Sequence, residues 1–381
     1  MTQTKTRSAV ISRLALMAGV GFAALGLGVL FHELSSAHLV SQSFRPLEES
    51  DRATAAGGRF LFDELYNADP AKLTRADFDR ALEDSESSYE KASGLKIKSD
   101  QRKHIIWPRV QSAPYRKAPL AIVYLHGFSA GPLELEPTIS TLAEELRAPL
   151  LVTRLEGHGL ENTNNGASEA MSRARARDWW RDANEAMIVG NMLGERVLLI
   201  GTSTGAALAL TYADLKEGRG SSDGPAAGIL LSPDYRVQAV GAWLLEAALG
   251  RWLATLFIGA EREFAPQNAL HAERWTTRYR SEAVHEMLLV AKRARGVGVE
   301  SLSMPVFTVY APEETVVDTL EIAKRAELFK NPKSQTLAVD WLKRHELASA
   351  TFNPELVPRL VETLRLWVRS AIEFEIGPRE K

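Results

Sequence analysis

"LLIGTSTGAALAL", Leu198–Leu210, runs an apolar stretch into a glycine, sets a serine between two threonines and continues in small residues. Gly201-Thr202-Ser203-Thr204-Gly205 fits Gly-x-Ser-x-Gly, a pattern that carries meaning only between a strand and a helix. Both flanks qualify. "RVLLI" (Arg196–Ile200) is the short aliphatic run of a buried parallel strand, and "AALALTYADLKEG" predicts a helix ending near Gly218. A turn this tight strains one residue and presents its hydroxyl at the strand tip, with glycines relieving the crowding on either side. Ser203 is therefore the candidate nucleophile. The pattern recurs at Gly220–Gly224 around Ser222, but there it lies in the polar, glycine-rich stretch "KEGRGSSDGPAAG", with no strand leading in, and predicts a surface loop.

Working outward, short apolar runs alternate with amphipathic segments from about Lys96. The strands are predicted at "HIIWP", "LAIVYLHG", "PLLVTRLEGHG", "RVLLI", "AAGILLSP", "MPVFTVYAP" and "SQTLAVD"; "NPELVPRLVETLRLWVRSAIEF" closes the chain as a helix. Alternation of this kind implies an α/β fold with a mostly parallel, doubly wound sheet. The alternation breaks between about 234 and 303. "VGAWLLEAALGRWLATLFIGA" there is too apolar for a solvated helix, "RWTTRYRSEAVHEMLLVAKRAR" carries a helical stripe, and no strand is predicted between them. This interval predicts a helical cap over the strand ends.

A serine alkoxide does not form at neutral pH unaided. It needs a histidine as base and a carboxylate to hold that histidine's tautomer. Of eight histidines, His345 in "DWLKRHELAS" lies in a loop after the last predicted strand. For the acid, "VFTVYAPEETVVD" runs a strand into Glu313, Glu314 and Asp318, and Asp234 follows "ILLSP" as a fourth candidate.

With these residues in place, the chain from about Lys96 to Ile376 resembles the α/β-hydrolase fold, in particular its bacterial carboxylesterase and monoacylglycerol-lipase-like branch. "YLHGF" (Tyr124–Phe128) is similar to that family's His-Gly turn, "LEGHG" (Leu155–Gly159) to its Gly-His-Gly loop, and "GTSTG" to its nucleophile elbow. The resemblance implies the chain order nucleophile, acid, histidine. In this branch the acid is commonly an Asp before x-V-V. Here Glu314-Thr315-Val316-Val317 occupies that position, so Glu314 is the acid the resemblance implies, with Glu313, Asp318 and Asp234 open. Family and geometry together suggest the amides of Phe128 and Thr204 as the oxyanion hole. His126 and His158 are read as bracing their loops.

The expected activity is hydrolysis of carboxylic esters through an acyl-enzyme. The alternatives are a serine peptidase or amidase on the same machinery, and a catalytically silent binding protein, hinted at only by Glu for Asp. No cofactor and no metal is expected: there is no His-Glu-x-x-His, no phosphate-cradling loop and no cysteine. A net charge of −2 gives no support for nucleic-acid binding. The expected partner is a small-molecule or lipid ester. Arg173, Arg175, Arg177 and Arg181 are read as a solvated helix face, with anionic lipid as the alternative contact.

The N-terminus carries Lys5, Arg7 and Arg13 and then the uncharged run Leu14–Phe31, about 27 Å long as a helix. With acids following, it predicts an anchor of residues 1–37 that exports the rest. Cleavage near "SSA" (Ser35–Ala37), leaving a secreted protein, is the alternative. Residues 38–95 are read as a polar helical spacer or pre-domain, and 96–376 as the catalytic domain.

Overall fold

The computed structural model describes residues 28, 31–47, 65, 72–109, 116–162, 166–217 and 223–373. The strands in chain order are β1 (His104–Ile106), β2 (Ala121–Leu125), β3 (Leu150–Val152), β4 (Val197–Thr202), β5 (Ala227–Leu231), β6 (Glu261–Glu263), β7 (Arg278–Arg280), β8 (Val306–Tyr310) and β9 (Gln335–Ala338). The helices are α1 (Arg75–Ser93), α2 (Thr138–Leu146), α3 (Gly166–Arg173), α4 (Ala176–Leu193) and α5 (Thr204–Glu217). After the β5 strand come α6 (Gly250–Ile258), α7 (Ala269–Arg274), α8 (Glu282–Arg295), α9 (Thr319–Ala326) and α10 (Val357–Ala371).

Seven strands form one sheet in the order β1-β3-β2-β4-β5-β8-β9, with β1 antiparallel to β3 and the other pairs parallel. All seven predicted strands are present. Every residue of β2, β4, β5 and β8 is buried. The reason is the period of two: Ala121, Val123 and Leu125 pack into one apolar layer with Leu199, while Ile122 and Tyr124 pack into the other with Leu198 and Ile200. Helices α4, α5 and α8 cover the first face; α2 and α10 cover the second.

The interval after β5 roofs the carboxyl ends of the strands. A 3-10 turn (Ala242–Glu246), α6 and α8 supply the expected helical character. An antiparallel hairpin, β6 with β7, is inserted as well. Hydropathy misses it because five of its six residues are charged ("ERE", "RYR") and only Tyr279 turns inward.

Three expectations change. Helix α1 is not a merely solvated spacer: Phe78, Leu82 and Tyr89 are buried, and so is Glu86, which pairs with Arg154. Its charged pattern concealed an ion pair that points inward. Arg181 is likewise not on a solvated face. It is 4% exposed and meets Asp178, Asp182 and Glu156. The third correction concerns the membrane. Among the described residues no helix is long and apolar enough to cross one, which removes the support for an anchored, exported domain and for a membrane contact through an N-terminal helix. Most of the Leu14–Phe31 run lies outside the described residues. Where the chain is described, residues 31–43 form a helix laid on the protein. His32 Nε2 is 2.9 Å from the Trp243 carbonyl, Glu33 pairs with Lys292 at 2.9 Å, and Ser36, inside "SSA", is fully buried.

Candidate active site

The elbow is built by close approach. A Cβ on Gly205 would come within 2.1 Å of the Leu125 carbonyl oxygen, and one on Gly201 within 2.3 Å of the Gly205 oxygen, so both positions exclude a side chain. Ser203 between them has φ 53, the left-handed region that a non-glycine residue occupies only under constraint. The constraint is visible: Ser203 N donates to Leu231 O at 2.8 Å, while its carbonyl accepts from Ala207 N at 3.1 Å and Asp234 N at 3.2 Å. Thr204 opens α5 directly behind it, so the partial positive end of that helix faces the serine.

His345 follows β9 in a loop whose position is fixed by Ser232, the hydroxyl of which donates to the His345 carbonyl at 3.0 Å. Its Nδ1 is 3.1 Å from Glu314 Oε2. The same oxygen accepts from the amides of Val316 (3.0 Å) and Val317 (3.4 Å), which orients the carboxylate. Burial alone would lower the His345 pKa. The hydrogen bond and charge of Glu314 outweigh it and raise the group to about 9.

Of the other three acid candidates, two are engaged elsewhere and the third makes no bond to the histidine. Glu313 is an exposed partner of Lys343 at 3.2 Å. Asp318 caps α9, accepting from Leu320 N and Glu321 N at 3.1 Å each. Asp234 is buried near His345 without a hydrogen bond to it, and burial pushes its carboxyl up to about 7.

Ser203 and His345 line one cavity of about 690 Å³, together with Phe128 and Thr204. No hydrogen bond joins Ser203 to His345 among the described residues; in unliganded sites this bond commonly tightens only when substrate binds. The cavity wall is mainly apolar, with Leu244, Phe257, Ile258, Tyr279, Val284 and Met287 contributed by the roof. Ser222 lies outside the described residues.

His126 and His158 hold the turn that carries Phe128. Leu155 N donates to His126 Nε2 at 3.0 Å, and Ser129 N to His158 Nε2 at 3.2 Å. Accepting at Nε2 requires both rings to be neutral, and burial lowers both, His158 to about 4. The Phe128 ring is wedged edge-on against His158, Trp179 and Tyr279. One buried acid at this turn goes unmarked by any sequence motif. Glu134, in "GPLELEP", accepts from Gly127 N at 2.7 Å and lines the same cavity. Its only signal in sequence is an acid seven residues after the His-Gly turn, before helix α2.

The sequence profile described as the alpha/beta hydrolase family matches residues 122–360, more than half the chain. No curated protein sequence matches. Among solved structures, a soluble variant of monoglyceride lipase from Saccharomyces cerevisiae, in complex with a substrate analog, is similar with TM-score 0.55 at 11% identity, over 71% of this chain and 92% of that one. A structure of the metagenome-derived lipolytic enzymes LipS and LipT is similar with TM-score 0.52 at 16% identity, over 71% of this chain and all of that one. At these identities the likeness is one of fold.

Proposed function

The chain belongs to the alpha/beta hydrolase family, and we propose that it is a serine hydrolase of carboxylic esters with apolar acyl or alkyl groups. The observation that carries this reading is the Glu314–His345 hydrogen bond at the wall of an apolar cavity into which the strained Ser203 opens.

In this reading Ser203 Oγ attacks the ester carbonyl while His345 Nε2 takes its proton. Glu314 keeps the opposite nitrogen protonated and stabilises the imidazolium that forms. Negative charge develops on the carbonyl oxygen, and the amides of Phe128 and Thr204 receive it. Collapse of the tetrahedral species breaks the bond to the leaving alcohol, which takes its proton from His345. Water then repeats the sequence on the acyl-enzyme, releasing the acid and free Ser203. The apolar lining supports an apolar group beside the scissile bond, held by the area it removes from water.

A fluorophosphonate probe tests the reading. Wild-type protein is expected to label and to hydrolyse p-nitrophenyl butyrate; folded Ser203→Ala is expected to do neither, and Ser222→Ala to do both. Hydrolysis that persists in pure Ser203→Ala would overturn the assignment.

A further inference from the structure

Gly127 must hold its neighbour's N–H on a developing oxyanion, yet glycine is the residue least able to hold its own backbone still. The structure shows what fixes it. The peptide before Gly127 is anchored through its N–H, which donates to Glu134 Oε2 at 2.7 Å. The peptide after it, whose N–H belongs to Phe128, is anchored through its carbonyl. His126 accepts from Leu155 at Nε2, so Nδ1 carries the proton and donates to Gly127 O at 2.9 Å. In a planar trans peptide, fixing the C=O direction fixes the opposed N–H. Both planes flanking Gly127 are thus set by buried side chains.

The Glu134 anchor reaches further. The Tyr124 hydroxyl donates to the same carboxylate oxygen at 2.9 Å, leaving its lone pairs to accept from Thr202 Oγ1 at 3.1 Å. Thr202 is the last residue of β4, and the next residue is Ser203. The chain Gly127–Glu134–Tyr124–Thr202 therefore ties the turn after β2 to the elbow after β4. Every member is buried: Tyr124 fully, with Thr202 2% exposed and Glu134 6%. There is no slack between the parts. A Cβ on Gly127 would fall 2.9 Å from Glu134 Oε1 and 3.3 Å from Ser203 Cβ, so the turn is pinched between the carboxylate and the elbow.

We propose that Glu134 is a positioning residue for the reaction: it sets the Phe128 amide at its distance from Ser203 and does not itself touch the reacting atoms. This rests on the reading of Ser203 and the Phe128 amide given above. Removing Glu134 frees the first peptide plane of Gly127 and disconnects Tyr124 from the turn. The apolar residues that hold the substrate's ground state are left in place. The loss therefore falls on the transition state, in kcat and not in KM.

The test compares Glu134→Leu, Glu134→Gln and Tyr124→Phe in the full chain. The readouts are kcat and KM on p-nitrophenyl butyrate and inhibition by an alkyl trifluoromethyl ketone, whose serine adduct carries the oxyanion. Glu134→Leu is expected to lose about 10²-fold in kcat, the size of losing one oxyanion donor, with KM nearly unchanged and ketone affinity weakened in parallel. Glu134→Gln keeps an acceptor for Gly127 N and is expected to recover most of that loss while staying below wild type. Tyr124→Phe is expected to fall between wild type and Glu134→Leu.

Folded Glu134→Leu with unchanged kcat and ketone affinity overturns the proposal, as does a loss confined to KM. Should Glu134→Leu fail to fold, Glu134→Gln decides: kcat and ketone affinity both equal to wild type overturn it. Ser203→Ala run in parallel separates the two claims. If Ser203→Ala remains active, the reading of the site falls and takes this proposal with it. If Ser203→Ala is inactive beside an indifferent Glu134, this proposal alone falls.

Discussion

Glu314 Oε2 lies 3.1 Å from His345 Nδ1 and takes two backbone amides besides, so a carboxylate one methylene longer than aspartate is held in place by its own loop. The extra length is absorbed by the turn: Val316 and Val317 donate back to the side chain that precedes them. Glu314→Gln keeps the shape and loses the charge that stabilises the imidazolium. Its kcat is expected to drop by about 10⁴, as for acid-to-amide changes in serine triads. Glu313→Gln, an exposed position, and Asp318→Asn, which preserves a helix cap, are expected to leave kcat nearly unchanged. Steady-state kinetics on the four single variants, Asp234→Asn included, checks this ranking. If Asp234→Asn were the crippling change, the acid would belong after β5.

The same pair sets a pH dependence. Glu314 raises His345 to about 9, against the effect of burial. A base must be neutral to act, so kcat/KM on a non-ionising ester is expected to climb as pH rises toward 9, with its acid limb above the ordinary histidine value of about 6.5. The limb should move to lower pH in Glu314→Gln. The stability sign is opposite. The folded state binds this proton more tightly than the unfolded chain does, so the pair's stabilisation is complete below about 6.5 and is lost as pH rises through the folded value. A wild-type limb at or below 6.5 would show that Glu314 does not act on His345 in solution.

The cavity makes a prediction about chain length. Val284 on α8 faces it from the roof and is buried. Val284→Trp would fill part of the cavity that Ser203 also lines. Each methylene kept out of an apolar site forfeits about 0.8 kcal/mol, so displacing two costs roughly tenfold in kcat/KM. p-Nitrophenyl decanoate is expected to suffer that loss or more while the acetate is little affected. Equal losses on both esters would mean that the acyl group lies elsewhere.

The elbow and the parallel strands were legible because each depends on local pattern. Buried strands are apolar along most of their length, and Gly201 is held free of a side chain by the Gly205 carbonyl four residues on, whereas the demand on Gly205 comes from Leu125 in the distant β2 strand. His345 and Glu314 were legible by chain order and by the Glu-Thr-Val-Val stretch. What hydropathy concealed was charge turned inward. Helix α1 reads as a solvated spacer and Arg181 as a surface cation, because a buried ion and an exposed one are the same letter. Glu134 escaped for the same reason. Its partners, Gly127 N and Tyr124 OH, come from the turn and strand that precede it, and nothing in composition announces a carboxylate that will be sealed beneath them.

The inward charge of α1 supplies the last prediction. Glu86 is 1% exposed and meets Arg154 Nε at 2.8 Å and Nη2 at 2.9 Å, with Lys103 at 3.7 Å. Burial pushes its carboxyl up, but Arg154 and Lys103 outweigh that and hold it below its ordinary value. Glu86→Gln leaves a buried guanidinium without its counter-charge, a change that costs about 3–5 kcal/mol where pairs are sealed from water. Replacing both partners, Glu86→Leu with Arg154→Met, removes the stranded charge and is expected to be less damaging than the single change. The effect should reach the site. Arg154 Nη1 donates to the His158 carbonyl at 3.2 Å, and His158 Nε2 in turn accepts from Ser129 N, one residue past Phe128. At a temperature where Glu86→Gln is still folded, kcat is therefore expected to fall along with stability. Urea denaturation and kinetics on the same preparations check both halves. A stability change under about 1 kcal/mol would mean that water reaches Arg154 and that α1 does not support the Gly-His-Gly loop.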